Sequence, residues 1–240
     1  MEANPYAIAS IEELRELSTC LVASAIETLH VRLPNTGFTD SSIHCIYEDL
    51  PPMAAYAATA RIRTADPPME GRGYSYARTD WWNHILSIPV PRVMVIEDID
   101  KPPGRGAFVG EVNANVLKAL GCVGLVTNGA VRDIDEVRAI EFPLFASSRV
   151  VSHSYAHIFD FGGPVIVGGL TIQPGELVHA DIHGVQTVPL KIAWEIPGIA
   201  REIRRRRKQI VHLCKSPGVT AEALRTMVTE KETETETETE

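Results

Sequence analysis

Along the chain, apolar and polar positions first alternate at helical spacing. Ile11, Leu14 and Leu17 form one stripe, and Ser10 with Glu13 in "SIEEL" has the form of a capping box at the start of that helix. "STCLVASAIETL" (Ser18 to Leu29) predicts a second helix, closed by the turn-rich "RLPNTGF". Two strand-like runs follow, "AAYAATARIRT" (Ala54 to Thr64) and "RVMVIEDID" (Arg92 to Asp100). Between them "ADPPMEGRGYSYARTDWW" (Ala65 to Trp82) reads as a long irregular insertion. Such a loop either covers a site or simply lies on the surface.

Further on, Val112, Val116, Leu117 and Leu120 suit a helix that Gly121 ends. "CVGLVT" suits a buried strand, "NGAV" a turn or continued strand, and "DIDEVRAI" another helix. "FPLFA", "PVIVGGLTI" and "ELVHADIHGVQTVPL" read as strands, the last two joined by the turn "QPGE". Strands alternate with helices in the first half and run in hairpins in the second. That mixture predicts an α/β domain with more than one sheet layer. From Ile192 the pattern is helical again, with Pro197 in a first turn and Ile199, Ala200, Ile203, Ile210, Val211 and Cys214 as its stripe. After Pro217-Gly218, "TAEALRTMV" predicts a short last helix. The main domain is therefore placed at 1–215, with 216–240 a C-terminal extension whose Thr-Glu repeat has nothing to bury.

Composition adjusts this picture in three ways. A chain of 240 residues that is 45% hydrophobic can bury a sizeable core. Its net charge of -8 sits mostly in the last eleven residues, "EKETETETETE", with six glutamates and one lysine, which leaves about -3 on the rest. The body thus lacks the basic surface of a nucleic-acid binder, and "REIRRRRK" (Arg201 to Lys208) reads as the solvated face of a helix. Cys20, Cys45, Cys122 and Cys214 are scattered without a C-x-x-C pair, against structural zinc or a disulfide framework. No leader pattern opens the sequence and no apolar run is long enough to span a bilayer, so the expectation is a cytoplasmic protein with no membrane partner.

Candidate chemistry centres on "VGLVTNGAVRDIDEV". Asp133 with Glu136 has D-x-x-E capping-box spacing, so one reading is a helix cap beside a surface arginine. The other is an active site. Gly129 permits a sharp turn at a strand end, where α/β sheets hold their ligands. Asp133, Asp135 and Glu136 offer the hard oxygens that Mg²⁺ or Mn²⁺ prefers, and Arg132 is a planar fork matched to a carboxylate. "GEVNAN" (Gly110 to Asn115) opens a helix, and helix N-termini bind anions. Glu111 comes near Asp133 only if both helices start at one edge of the sheet. In "HADIHG", His179, Asp181 and His183 alternate and could line one strand face, either as ligands or incidentally. His153 and His157 have the i, i+4 spacing of helical zinc ligands but no third partner.

Together these pieces resemble the RraA-like family over Ser18 to Pro189. "STCLVASAIE" is similar to its opening helix, "GEVN" to its G-[DE]-x-x segment and "GCVGLVTNGAVRD" to its G-x-x-G-x-V-x-[DN]-G-x-V-R-D core. Arg132 follows Gly110 by 22 positions, in agreement with the family's spacing. Asn128 stands where an aspartate is common. The resemblance implies a three-layer β/β/α swivelling-type domain with N- and C-terminal helices, assembled as a homotrimer or homohexamer. It implies a lyase that cleaves a C–C bond of a 2-oxo acid through a pyruvate enolate, of the 4-hydroxy-4-methyl-2-oxoglutarate aldolase or oxaloacetate decarboxylase type. Its cofactor would be Mg²⁺ or Mn²⁺ on Asp133. Gly110, Glu111, Val112, Asn113 and Arg132 fall on substrate-binding positions, and Arg132, Asp133 and Glu136 on catalytic ones. The same family includes a non-catalytic regulator of an RNA-processing enzyme, which stays open as the alternative, as does a lyase for a different oxo or hydroxy acid.

Overall fold

The computed structural model describes residues 5–68 and 78–228. Helices α1 (Pro5–Arg15) and α2 (Thr19–Thr28) precede the short strand β1 (His44–Cys45) and the long β2 (Met53–Arg63). Next come α3 (Arg78–Ser87), β3 (Arg92–Asp98), β4 (Ala107–Val109), α4 (Glu111–Ala119), β5 (Cys122–Thr127), β6 (Ala130–Val131) and α5 (Ile134–Ala139). The later part holds β7 (Leu144–Ala146), β8 (Ser148–Arg149), β9 (His157–Phe161), β10 (Val165–Val167) and β11 (Leu170–Ile172). It ends with β12 (Leu177–Asp181), β13 (Gly184–Val188) and α6 (Ile196–Cys214). A further helix lies at 221–228.

The main sheet runs β1-β7-β5-β3-β2-β12-β13, with β9 also on β2. β2, β3, β5 and β7 pair in parallel, while β12, β13 and β9 join antiparallel. Parallel strands need both faces covered, and here successive residues divide cleanly between two cores. Ala58, Ala60, Ile62, Met94, Ile96 and Leu125 face Trp81, Ile85, Ala114, Leu117 and Val137 of helices α3, α4 and α5. Their neighbours Ala55, Ala57, Val93, Val95, Val126 and Phe145 face Val165, Val167, Leu170 and Ile172 of the β10–β11 hairpin. The alanines of β2 suit a strand pressed from both sides. The result is a mixed α/β fold with helices at both ends of the chain.

Four local expectations need correction. The first helix starts at Pro5, so Ser10 lies inside it rather than at its start; a proline fits a first turn, and the stripe of Ile11 and Leu14 is buried as read. The insertion is helical from Arg78, because Trp81, Ile85 and Ile88 recur at helical spacing and bury; Trp81 meets Phe108 edge-on at 5.9 Å. Tyr74, Tyr76 and the Thr-Glu repeat lie outside the described residues. His153 and His157 share no helix: His157 opens β9, and each Nδ1 bonds a nearby carbonyl, of Ser154 and Tyr155 respectively.

The fourth correction concerns "HADIHG". His179 is 0% exposed, and its Nε2 donates to the Leu14 carbonyl at 3.0 Å while Nδ1 meets the Thr19 hydroxyl at 3.0 Å. Asp181 accepts the Thr19 N–H at 2.9 Å through Oδ2 and the His183 N–H at 2.9 Å through Oδ1. Gln186 donates to the Thr19 carbonyl at 2.8 Å. These strand residues therefore tie α2 to the sheet. Ser18 caps that helix, its hydroxyl accepting the Leu21 N–H.

The chain forms two compact units, Met1–Pro197 and Gly198–Glu240. In the second, Ile203, Ile210 and Leu213 are half-buried and Arg204, Arg205, Arg207 and Lys208 are exposed; Arg205 pairs with Glu202 one turn away. Among the described residues no helix is long and apolar enough to cross a membrane.

Candidate active site

β4 and β6 lie side by side in parallel, with Ala107 opposite Ala130 and Val109 opposite Val131. Each passes directly into a helix, α4 after Gly110 and α5 after Asp133. The Arg132 N–H donates to the Val109 carbonyl at 3.2 Å, so the two exits are tied together. Both helices thus start at one edge, the condition that brings Glu111 to Asp133. The C-terminal edge of parallel strands is also where such sheets bind ligands.

At this corner Asp133 does something other than cap its own helix. Its backbone is left-handed (φ 52, ψ 51), a conformation that short polar residues tolerate better than most, and its side chain makes no hydrogen bond to α5. The carboxylate turns instead to the neighbouring helix, where Oδ2 accepts the Glu111 N–H at 3.0 Å and faces Arg132 Nε at 3.3 Å. A negative charge is thereby held at the positive end of α4. The D-x-x-E box is not formed, and Glu136 stands exposed on the first turn of α5 beside Asp135.

Gly110 makes that approach possible. Its φ of -136 is ordinary, but a Cβ there would sit 2.3 Å from Asp133 Oδ2 and 2.9 Å from Arg132 Cγ. The requirement is space rather than backbone freedom. Asp133 and Arg132 keep side-chain exposures of 32% and 34%. Among the described residues no hydrogen bond reaches Asp133 Oδ1 or the terminal nitrogens of Arg132, so an outward carboxylate oxygen and a guanidinium fork remain available. The remaining expected positions differ in what they do. Val112 is 71% exposed, and Asn113 spends its Nδ2 on the Phe108 carbonyl at 2.5 Å.

Behind the corner, a polar network fixes the loop that leads into β4. Asp98 Oδ2 accepts the Gly104 N–H at 2.8 Å and the Thr64 hydroxyl at 3.1 Å. Asn128 spans the backbone of Asp98, accepting its N–H at 2.7 Å and donating to its carbonyl at 3.0 Å. An aspartate could not make the second bond, which gives Asn128 a physical reason in this chain. Burial works to raise the Asp100 carboxyl, yet the N–H groups of Thr64 and Ala65, with Arg63, hold it below its ordinary value.

Tyr47 is the residue that sequence reasoning missed. It follows β1, is buried, and donates its hydroxyl to the Ile134 carbonyl at 2.6 Å, one residue past Asp133. No local pattern announces a bond between positions so far apart in the chain. An open depression of about 540 Å³ lies lower on the helices, lined by Asn115, Lys118, Asp135, Arg138 and Ile140 among others, and Arg132 and Asp133 do not line it. Among the described residues no group of three or more His, Cys, Asp or Glu could hold a metal by itself.

The family model RraA-like: Aldolase/RraA matches residues 19–186. A protein of Halalkalibacterium halodurans named "Putative 4-hydroxy-4-methyl-2-oxoglutarate aldolase" is 34% identical over 84 residues, 35% of this chain and 40% of that protein. The chain thus spans less than two thirds of that relative's length. Among solved structures, an uncharacterized protein from Pseudomonas syringae pv. tomato superposes with a TM-score of 0.71 at 24% identity, covering 94% of this chain and 97% of the other. Streptomyces coelicolor RraAS2, described as an unusual member of the RNase ES inhibitor RraA protein family, gives 0.66 at 20% identity, covering 87% and 96%. These two likenesses concern the fold.

Proposed function

We propose that this chain, which belongs to the RraA-like Aldolase/RraA family, is a divalent-metal-dependent lyase that cleaves a C–C bond of a 2-oxo acid through a pyruvate enolate. The observation that carries this reading is the Arg132–Asp133 pair on the Glu111 N–H, with one carboxylate oxygen and the guanidinium fork facing outward. A β/β/α swivelling-type domain is part of this reading, supported by the helices on one face of the main sheet and the β10–β11 hairpin on the other.

The donor set suits Mg²⁺ or Mn²⁺ of one kind. Mg²⁺ commonly keeps several waters and takes one or two carboxylates, and this corner supplies one, Asp133 Oδ1. When bound, such an ion would act as a Lewis acid on the substrate's 2-oxo group. The chain's own residues do the rest. Arg132 pairs with the substrate's carboxylate or 2-oxo oxygen and stays there as negative charge grows during cleavage. The N–H groups of Val112 and Asn113, in the first turn of α4 where no intrahelical acceptor exists, face the same anion. In aldol cleavage Glu111 or Glu136, the first-turn glutamates of the two helices, would take the proton from the substrate's 4-hydroxyl as the C–C bond breaks. In aldol cleavage and decarboxylation alike, a proton returns to the enolate carbon to give pyruvate. A 4-hydroxy-4-methyl-2-oxoglutarate aldolase and an oxaloacetate decarboxylase would share this arrangement, because both reactions pass through the same enolate.

Homotrimer or homohexamer assembly belongs to the same reading. The corner is open, and apolar side chains stand in water near it: Val112 at 71% and Val151 at 98%, the latter following Val150, whose N–H bonds Val131. A second copy would cover them. The test is pyruvate release from oxaloacetate and from 4-hydroxy-4-methyl-2-oxoglutarate, with Mg²⁺ and then with excess chelator. Chelator-sensitive turnover that Asp133→Ala abolishes is expected. Folded protein silent on both substrates sinks the assignment.

A further inference from the structure

The helix that follows Asp133 is poorly equipped to hold itself. α5 has six residues, too few for an isolated helix to be stable, and the residue before it is left-handed without a side-chain cap. Two contacts from a distant segment grip it. The Tyr47 hydroxyl donates to the Ile134 carbonyl at 2.6 Å, and Asp49 forms a two-armed ion pair with Arg138 at the far end of the helix. They differ in kind. The Asp49–Arg138 pair lies at the surface, where such pairs contribute little. Tyr47 is only 6% exposed, its ring in the core that also holds Val131 and Val137.

The direction of the Tyr47 bond is fixed, since a carbonyl only accepts. Burial, only partly offset by the Arg149 charge, pushes the phenol up to about 12, so it stays a donor at any working pH. Ile134 is joined to Asp133 by one peptide bond. Holding its carbonyl limits how far the Asp133 backbone can turn out of the left-handed region, and so limits where the carboxylate points. A misplacement of about 1 Å in a ligand-bearing side chain can cost on the order of a hundredfold in rate.

We infer that Tyr47 is a positioning residue, whose hydroxyl aims the Asp133 carboxylate at its bound cation through the first turn of α5. This rests on the lyase reading above for its activity readout, while cation binding tests it separately. The experiment compares full-length wild type, Tyr47→Phe and Asp49→Asn. It follows Mn²⁺ binding by titration, kcat and KM for oxaloacetate with saturating Mg²⁺, and thermal unfolding. Tyr47→Phe keeps the ring and loses one hydrogen bond.

The expected result for Tyr47→Phe is Mn²⁺ binding weakened about fivefold to tenfold, kcat down about tenfold, and KM changed less than twofold, measured well below its melting temperature. Asp49→Asn should match wild type in all of these. Tyr47→Phe with wild-type Mn²⁺ affinity and kcat overturns the inference. So does a variant that only melts earlier, with its folded protein unaltered. Wild type that binds Mn²⁺ but turns nothing over fails the lyase reading alone, and the Mn²⁺ affinities then decide for or against Tyr47. Wild type that does neither overturns both.

Discussion

Two carboxylates in this fold make the same bond and come to opposite uses. Asp133 accepts the N–H of Glu111, the first residue of α4, at 3.0 Å; Asp181 accepts the N–H of Thr19, the first residue of α2, at 2.9 Å. Each places negative charge at a helix N-terminus, where it is stabilising. What separates them is what remains unspent. Asp181 is 7% exposed and its second oxygen takes the His183 N–H and ring, so it has nothing left to offer. Asp133 is one-third exposed, with an arginine beside it and an oxygen facing out. A carboxylate with spare valence at an open edge is a candidate for chemistry, whereas the closed one is a fastener.

The sharpest way to break this comparison is to remove the arginine. Arg132→Ala should lower kcat/KM for the 2-oxo acid about a thousandfold, roughly 4 kcal/mol of transition-state stabilisation, and leave thermal unfolding nearly unchanged. Near-wild-type turnover would return Arg132 to the status of a surface charge. Asp181→Ala should do the reverse. It strands the Thr19 and His183 N–H groups, so unfolding should cost about 2–3 kcal/mol less, read as a melting temperature lower by several degrees, with Mn²⁺ affinity unaltered. Loss of metal binding without loss of stability would contradict the fastener role.

Gly110→Ala tests the open corner more finely. Its backbone angles admit alanine, but the new methyl would meet Asp133 Oδ2 at 2.3 Å, and the carboxylate must move. Turnover should fall about tenfold to a hundredfold with little change in melting temperature. An active alanine variant would show that the close approach is not required.

How much of this could be read from the chain depends on the range of the forces involved. The strand that begins at Arg92 and the helix starts after Gly110 and at Asp133 follow from local pattern, and they were legible. The proximity of the two exits was left conditional on both helices starting at one edge, and the parallel pairing of β4 and β6 meets that condition. Cross-element bonds were not. Asp133 with Glu136 has the spacing of a capping box, yet its carboxylate found a better donor on another helix, because its left-handed backbone turns it away from α5. His179, Asp181 and His183 alternate like ligands, but α1 and α2 fold over the first two and convert them to internal ties. The helix at Arg78–Ser87 was hidden by the proline and glycine around it, since burial of Trp81 and Ile85 against the sheet outweighs composition.

The smallest effect should appear on acidification of the closed cluster. Burial holds His179 below its ordinary value of 6.5, although the Leu14 carbonyl and Asp181 pull the other way. The folded protein therefore resists a proton that the unfolded chain accepts. His179 contributes stability that is fully present above about pH 6.5 and declines as pH falls below it. Asp181 works in the same direction at lower pH. Burial alone would raise its carboxyl, but the N–H groups of His183 and Thr19 hold it below 3.8, and that contribution is lost as pH falls through the folded value. Amide hydrogen exchange across residues 10–28, compared between pH 7.5 and 5.5 after correction for intrinsic rates, should show α1 and α2 loosening at the lower pH, with α4 and α5 changing less. If the site helices loosen first instead, the fastener does not govern how the N-terminal helices dock.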